Sequence, residues 1–401
     1  YWDKQERKMK QKVQYPDFTE QLKAYKTRYN KTLMACLNSD HLSEKMFLSG
    51  EFPMQVIYEF IELYEEKYPE RKQAFKKFFR RNDNGFSHHM AKIKCMSYML
   101  DEKTVVRMSE LLNKRNGIYM QLFSESNPVP HGASAYFGRD FWGRPRIMYY
   151  EIDSKSRLHP PYKTFFHEFG HALDSLMVRG SGFLSDRFRC TKQAEYKELS
   201  YDHSVNQICV NRVKTVYTKT IHEWAEFDVQ NDIIQAAMDL FQGRISGNSH
   251  RRYLNPTISS LKKYYIIDYT VHHLFLKPDG CEQLAGLSGK LYFEEISDLY
   301  HDVREVMNKT IFANYKNMIV LPKDLFGGIT NNQLGGGHGS DYWFKGNRRI
   351  NKVSREAFAG YFEYKTTITD SVFQKHLINP YQCMPNTEAA LGAMLGVVLR
   401  K

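Results

Sequence analysis

The sequence predicts an α+β fold that is mostly helical, on three observations. Apolar residues recur at three- and four-residue spacing through most of residues 1–125 and again from about 227 to 311, the period of helices with one buried face. Between these regions, residues 127–150 are dense in turn residues and β-formers, which predicts a small sheet. The stretch from Lys163 to Asp174 is apolar on most sides yet carries two histidines and two carboxylates, and unpaired polar groups are costly in such a setting.

Residues 1–125 read as a charged helical lobe. Helical spacing runs from Gln21 onward, from Phe52 to Tyr68 and from Val105 to Phe123, with breaks at Asn38-Ser39-Asp40 and Asn82-Asp83-Asn84-Gly85. Lys76-Lys77-Phe78-Phe79-Arg80-Arg81, with His88 and His89 beyond it, interleaves cations and aromatics as a nucleic-acid patch would. An amphipathic helix end with solvated cations is the preferred reading, because Lys and Arg suit a helix C-terminus.

From Asn127 the character changes. Pro128, Pro130 and Gly132 precede Ala133-Ser134-Ala135-Tyr136-Phe137; Gly138 to Gly143 makes a turn before Arg146-Ile147-Met148-Tyr149-Tyr150. This is a hairpin pattern. Pro160-Pro161 and a capping Thr164 then open a helix that Gly180 and Gly182 close. On it His167 and His171 lie one above the other, and Glu168 is turned by about 100° toward their side. Two imidazoles four residues apart can hold Zn²⁺, with the Glu placed to take a proton from water at the metal. His167-Glu168-Phe169-Gly170-His171 is therefore the H-E-x-x-H signature of metallopeptidases.

Two histidines leave zinc short of protein ligands, so a third is sought downstream. Glu195 stands in Gln193-Ala194-Glu195-Tyr196-Lys197-Glu198, read as a charged helix; Glu223 and Glu226 stand in His222-Glu223-Trp224-Ala225-Glu226-Phe227. The preferred candidate is Glu356, in the first turn of a short apolar helix capped by Ser354, with Val353, Ala357, Phe358, Tyr361 and Phe362 on its buried side. The chain between folds as a helical insertion over residues 201–315, with helices at Phe227–Phe241, Ile258–Phe275 and Tyr292–Ile311. Before the Glu356 helix, Gly327 to Trp343 is too rich in glycine for a regular element, and His338 and Tyr342 are its polar side chains.

With 401 residues, 42% hydrophobic and 14% aromatic, the chain can bury a real core and allows one large or two to three ordinary domains. It has no run of about 20 apolar residues, which excludes a spanning helix. It begins Tyr1-Trp2-Asp3-Lys4, without an apolar leader or an initiator Met, as a fragment or processed form would. Cysteines 36, 95, 190, 209, 281 and 383 lack C-x-x-C spacing, which argues against a disulfide scaffold or structural zinc and for a reducing compartment. The net charge of +12, from 57 basic and 45 acidic residues, is spread widely. It favours acidic partners, nucleic acid among them, without naming one.

The motif from His167 to Asp174, paired with Glu356-Ala357-Phe358-Ala359, resembles the anthrax-lethal-factor-like gluzincin peptidases. The segment from Asn331-Asn332-Gln333 to Asp341-Tyr342-Trp343, followed by Arg355-Glu356-Ala357-Phe358-Ala359, more closely resembles peptidase domains in minor capsid (head morphogenesis) proteins of phages and prophages of Gram-positive bacteria. The resemblance covers residues 127–180 and 325–375, and leaves out the first 120 residues and the insertion.

The resemblance implies a zincin-like fold split into a core segment at 126–200 and a C-terminal part at 316–401, behind the N-terminal lobe at 1–125. In that architecture Ala135, Tyr136 and Phe137 lie on an edge strand that binds an extended substrate through backbone hydrogen bonds. It implies Zn²⁺ held by His167, His171 and Glu356, with Glu168 as general base. Tyr342 or His338 is the expected donor to the oxyanion. The chain departs from the family at Gly360, where an acidic residue usually stands one turn after the ligand Glu; Asp174 is the substitute for orienting a ligand imidazole, or Gly360 lets two helices approach closely. The expected activity is that of a zinc-dependent endopeptidase on a protein or peptide substrate, in the cytoplasm of a bacterial host or in a virion and not in a membrane. The competing readings are a structural virion or nucleic-acid-associated protein that retains the fold without turnover, and an effector toxin protease.

Overall fold

The computed structural model describes residues 54–78, 88–99, 102–113, 118–123, 135–139, 145–150, 163–178, 182–247, 252–273, 292–312, 322–334, 338–345, 348–349, 352–367 and 381–400. The helical readings near Gln21, the breaks at 38–40 and 82–85, and Phe79, Arg80 and Arg81 of the basic patch lie outside these residues. At a coarse level the fold is α+β and mostly helical, with a three-stranded sheet and two small antiparallel ribbons among the described residues. It divides into two compact units, Tyr1–Glu168 with Thr366–Lys375, and Phe169–Lys365 with His376–Lys401. Among the described residues no helix is long and apolar enough to cross a membrane.

The first unit contains helices α1 (Met54–Lys67), α2 (Pro69–Phe78), α3 (His88–Met99) and α4 (Glu102–Asn113), followed by strands β1 (Tyr119–Phe123), β2 (Ala135–Arg139) and β3 (Pro145–Tyr150). Tyr64, Phe75, Tyr98, Val105 and Met108 fill its helical core. Glu65 is buried there against Lys94 and accepts the Tyr98 hydroxyl at 2.9 Å, so its charge is paired. The expected hairpin is present, with Phe137 opposite Ile147 in an antiparallel pair. Tyr119–Phe123 is not the end of a helix: α4 stops at Asn113, and β1 runs parallel to β3. The sheet order β1-β3-β2 leaves β2 at an edge.

Helix α5 (Lys163–Leu176) runs continuously through the H-E-x-x-H motif. Thr164 is its second residue rather than its cap. In the second unit a long hairpin follows, β4 (Arg189–Asp202) paired with β5 (Gln207–Thr220) over their full lengths. The helical reading of Gln193–Glu198, and of the first part of the insertion, is thus corrected to strand. Thr191, Tyr196, Tyr201, Val210, Val213, Val216 and Tyr217 are β-branched or aromatic, and they suit a pleated surface better than a helix.

Helices α6 (Ile221–Phe241), α7 (Ser260–His273) and α8 (Phe293–Phe312) then appear where the insertion was expected to be helical. Trp224 and Phe227 of α6 pack with Ala194, Cys190, Tyr196 and Tyr217 of the hairpin and with Ala390 of the last helix, α12 (Pro385–Arg400). Helix α9 (Lys323–Thr330) contains Gly327 and Gly328, so the glycine-rich segment is regular in its first part. A Cβ at Gly328 would lie 2.7 Å from a Val353 methyl and 3.1 Å from Trp343, which is why glycine serves there. Helix α10 (Ser340–Trp343), strands β6 (Phe344–Lys345) and β7 (Arg348–Arg349), and α11 (Lys352–Thr367) complete the unit. Helix α11 begins two residues before Ser354, so Ser354 does not cap it and Glu356 stands in its second turn; the Ser354 hydroxyl lies 3.1 Å from His222 Nδ1 instead. The described cysteines Cys95, Cys190, Cys209 and Cys383 form no disulfide.

Candidate metal centre

The motif histidines are set by helix periodicity, and what must be found is the residue that meets them. His171 Nε2 lies 3.3 Å from Glu356 Oε2, and both residues are buried. His167, one turn earlier on the same helix, joins them: one ligand atom from each of His167, His171 and Glu356 lies within 4.8 Å of the other two. Zinc bonds of about 2.0–2.1 Å at tetrahedral angles put neighbouring ligand atoms roughly 3.3–3.4 Å apart, so the His171–Glu356 spacing is that of one tetrahedral edge. Two imidazoles and one carboxylate fit zinc with a position left over.

No family model matches the chain, and no curated protein or solved structure matches it.

The other candidates for a third ligand are occupied elsewhere. Glu195 lies on the exposed part of β4, 3.5 Å from Arg212 of β5. Glu223 is the third residue of α6 and closes a capping box: its carboxylate accepts from the Thr220 N–H at 2.7 Å and from the Thr220 hydroxyl at 2.8 Å. Burial pushes this carboxyl up, but the Thr220 bonds outweigh it and hold the group below the usual range. Glu226 joins no group of possible metal ligands among the described residues.

Helices α5 and α11 pack backbone to backbone. A Cβ at Gly170 would lie 2.9 Å from Ala359 Cα, so the small residue that permits the approach is Gly170. The close-approach reading of Gly360 is corrected: among the described residues a Cβ there would meet only the Tyr381 hydroxyl, at 3.7 Å. A short loop brackets the two helices. Ser185 donates its N–H (2.9 Å) and its hydroxyl (2.5 Å) to Asp174 of α5, and Asp186 takes a two-pronged bond from Arg355 of α11, both prongs 2.7 Å. The Arg355 guanidinium lies 4.3 Å over the Phe183 ring, which meets the His171 ring edge-on. Sequence reasoning missed Ser185, Asp186 and Arg355; the adjacency of Arg355 to Glu356 was the available signal.

Asp174 is fully buried, and desolvation pushes its carboxyl up to about 6 against the Ser185 bonds and the nearby His171, which pull it down. Its oxygens are held by Ser185, so its effect on the His171 imidazole is electrostatic. Glu168 is also buried, and its Oε2 accepts the Phe137 N–H of β2 at 2.5 Å. Of the three predicted substrate-strand residues, Phe137 therefore touches the predicted base, while Ala135 is buried and Tyr136 half-buried.

Tyr342 donates its hydroxyl to Glu356 Oε1. The His338 ring stacks on the Tyr342 ring, 3.8 Å between centroids and 18° from parallel, and its Nε2 lies 3.9 Å from Asp324 Oδ1. Both residues named from the glycine-rich segment thus gather at Glu356, and Asp324, which the sequence reading passed over, stands with them. Its signal was an acidic residue opening a helix just ahead of that segment.

Proposed function

We propose that the chain is a zinc-dependent endopeptidase of the gluzincin type, acting on a protein or peptide substrate. The observation that carries this reading is the meeting of His167, His171 and Glu356, with their ligand atoms within 4.8 Å of one another. A zinc ion held by these three side chains would supply Lewis acidity toward a peptide carbonyl and would acidify a water molecule. Glu168 is the residue to take the proton from that water and to return it to the leaving amine. Its carboxylate is fixed by the Phe137 N–H rather than left to solvent. Of Tyr342 and His338, Tyr342 is the donor for the developing oxyanion and must give up its bond to Glu356 to act, with the His338 ring stacked on it. The resemblance to minor capsid peptidase domains gives the proposal its setting, a bacterial cytoplasm or a virion.

Glu168→Gln tests the assignment of the base. A glutamine oxygen still accepts the Phe137 N–H, so the fold and the zinc content should be kept, while cleavage of an unfolded test protein should fall by about 10²–10⁴-fold. Wild-type protein should carry zinc by elemental analysis after supplementation. A variant that cleaves at the wild-type rate, or a wild type without stoichiometric zinc, would overturn the reading.

A further inference from the structure

Asp324, His338 and Glu356 form another group whose ligand atoms, one from each side chain, lie within 4.8 Å of one another. They come from the first turn of α9, the segment just before α10, and α11. We infer that this group is a second divalent-cation site that shares Glu356 with the first; it rests on the metal-centre reading only through that shared carboxylate.

One imidazole and two carboxylates make a donor set that suits zinc and leaves room for water. A carboxylate can serve two cations because it has two oxygens, and those of Glu356 have different neighbours: Oε2 faces His171, and Oε1 receives the Tyr342 hydroxyl. Tyr342 is also the residue on which His338 stacks, so the second oxygen is on the side where the second group gathers. His338 is positioned although its side chain is 44% exposed: Trp343 meets its ring edge-on, and Asn332 Nδ2 donates to its backbone carbonyl at 2.8 Å. The 3.9 Å between Asp324 and His338 exceeds a tetrahedral edge by about half an ångström. A bound ion would draw these two accessible side chains together.

Ligand type ranks the two sites: two imidazoles give zinc the firmer hold at the first. An ion entering the second site then shares Glu356 with a dication already bound and is repelled by it. The Lys352 ammonium lies 3.8 Å over the Tyr342 ring and adds repulsion. The second ion therefore binds more weakly than the first.

The test is a zinc titration of the metal-stripped full chain by calorimetry, with the bound zinc counted after equilibrium dialysis. Wild-type protein should take two ions, the second at least about tenfold more weakly. Asp324→Asn and His338→Ala should each keep the first ion, with affinity within about twofold, and lose the second. Glu356→Gln should impair both. A single ion in the wild type, or two ions that neither Asp324→Asn nor His338→Ala affects, overturns the second site and leaves the first standing. A wild type that binds no zinc overturns both.

Discussion

Three glutamates with equal intrinsic chemistry end in three different roles, and their surroundings decide which. Glu195 is half-exposed beside an exposed Arg212, a pair worth little in water. Glu223 is a helix cap. Glu356 is buried against an imidazole. The same dependence gives a pH prediction at Asp232 of α6, whose carboxyl is pushed up to about 6 by desolvation first and by neighbouring Asp228 second, against Lys197. Because the folded value lies above the unfolded one, the contribution of this group to stability is present below about pH 3.8 and is lost as pH rises through about 6. Asp232→Asn removes the penalty. It should stabilise the protein by about 1–2 kcal/mol at pH 7.5, allowing for its partial exposure, with the gain vanishing near pH 4. Denaturant unfolding at the two pH values measures it; an equal gain at both would remove the titration as its cause.

At the scale of elements, the α5–α11 contact is sensitive to volume because backbone meets backbone there. Gly170→Ala would place a methyl 2.9 Å from the Ala359 backbone, which cannot rotate away, so the helices must separate. A cost of about 1–3 kcal/mol and weaker zinc binding are expected. Gly360→Ala on the same helix as Ala359 meets, among the described residues, only a hydroxyl at 3.7 Å and should be neutral or stabilising by up to about 1 kcal/mol. Thermal unfolding of the two variants gives the comparison, and equal effects would mean that backbone packing does not set the approach. The sequence made α5 legible because its period and its chemistry coincide in one stretch. The β2–β3 hairpin was legible from its turn residues. The β4–β5 ribbon was not, because Lys, Glu and Gln alternate with its β-formers and every residue of the two strands except Ala194 and Thr220 is exposed or half-buried, so no strict alternation is enforced. Gly327 and Gly328 misled for a related reason: their smallness answers to Val353 and Trp343, which are distant in sequence, and not to a local turn. Glu356 was preferred over its rivals for its apolar helix and the motif around it, but what brings it to His171 is a tertiary meeting across 185 residues.

At the scale of the whole molecule, that separation would make metal binding at this site a folding term. If the chain holds zinc as proposed, the unfolded chain keeps His167 and His171 near each other but finds Glu356 only after closing a long loop, so zinc should bind the native state far better than the unfolded one. Free zinc at a hundredfold excess over its dissociation constant should then raise native stability by about 2.7 kcal/mol, and a chelator should reverse the gain. Glu356→Ala should abolish most of the zinc-dependent shift in melting temperature. Glu195→Ala should preserve it, having no ligand to remove. Glu223→Ala separates stability from binding: loss of the capping box should lower the melting temperature without zinc, by about 1 kcal/mol of stability, yet leave the increment on adding zinc intact. Melting curves of the four proteins with zinc and with chelator distinguish these cases. An increment that survives Glu356→Ala but disappears in Glu195→Ala or Glu223→Ala would move the third ligand off α11, and with it the architecture that joins α5 to α11 through a metal.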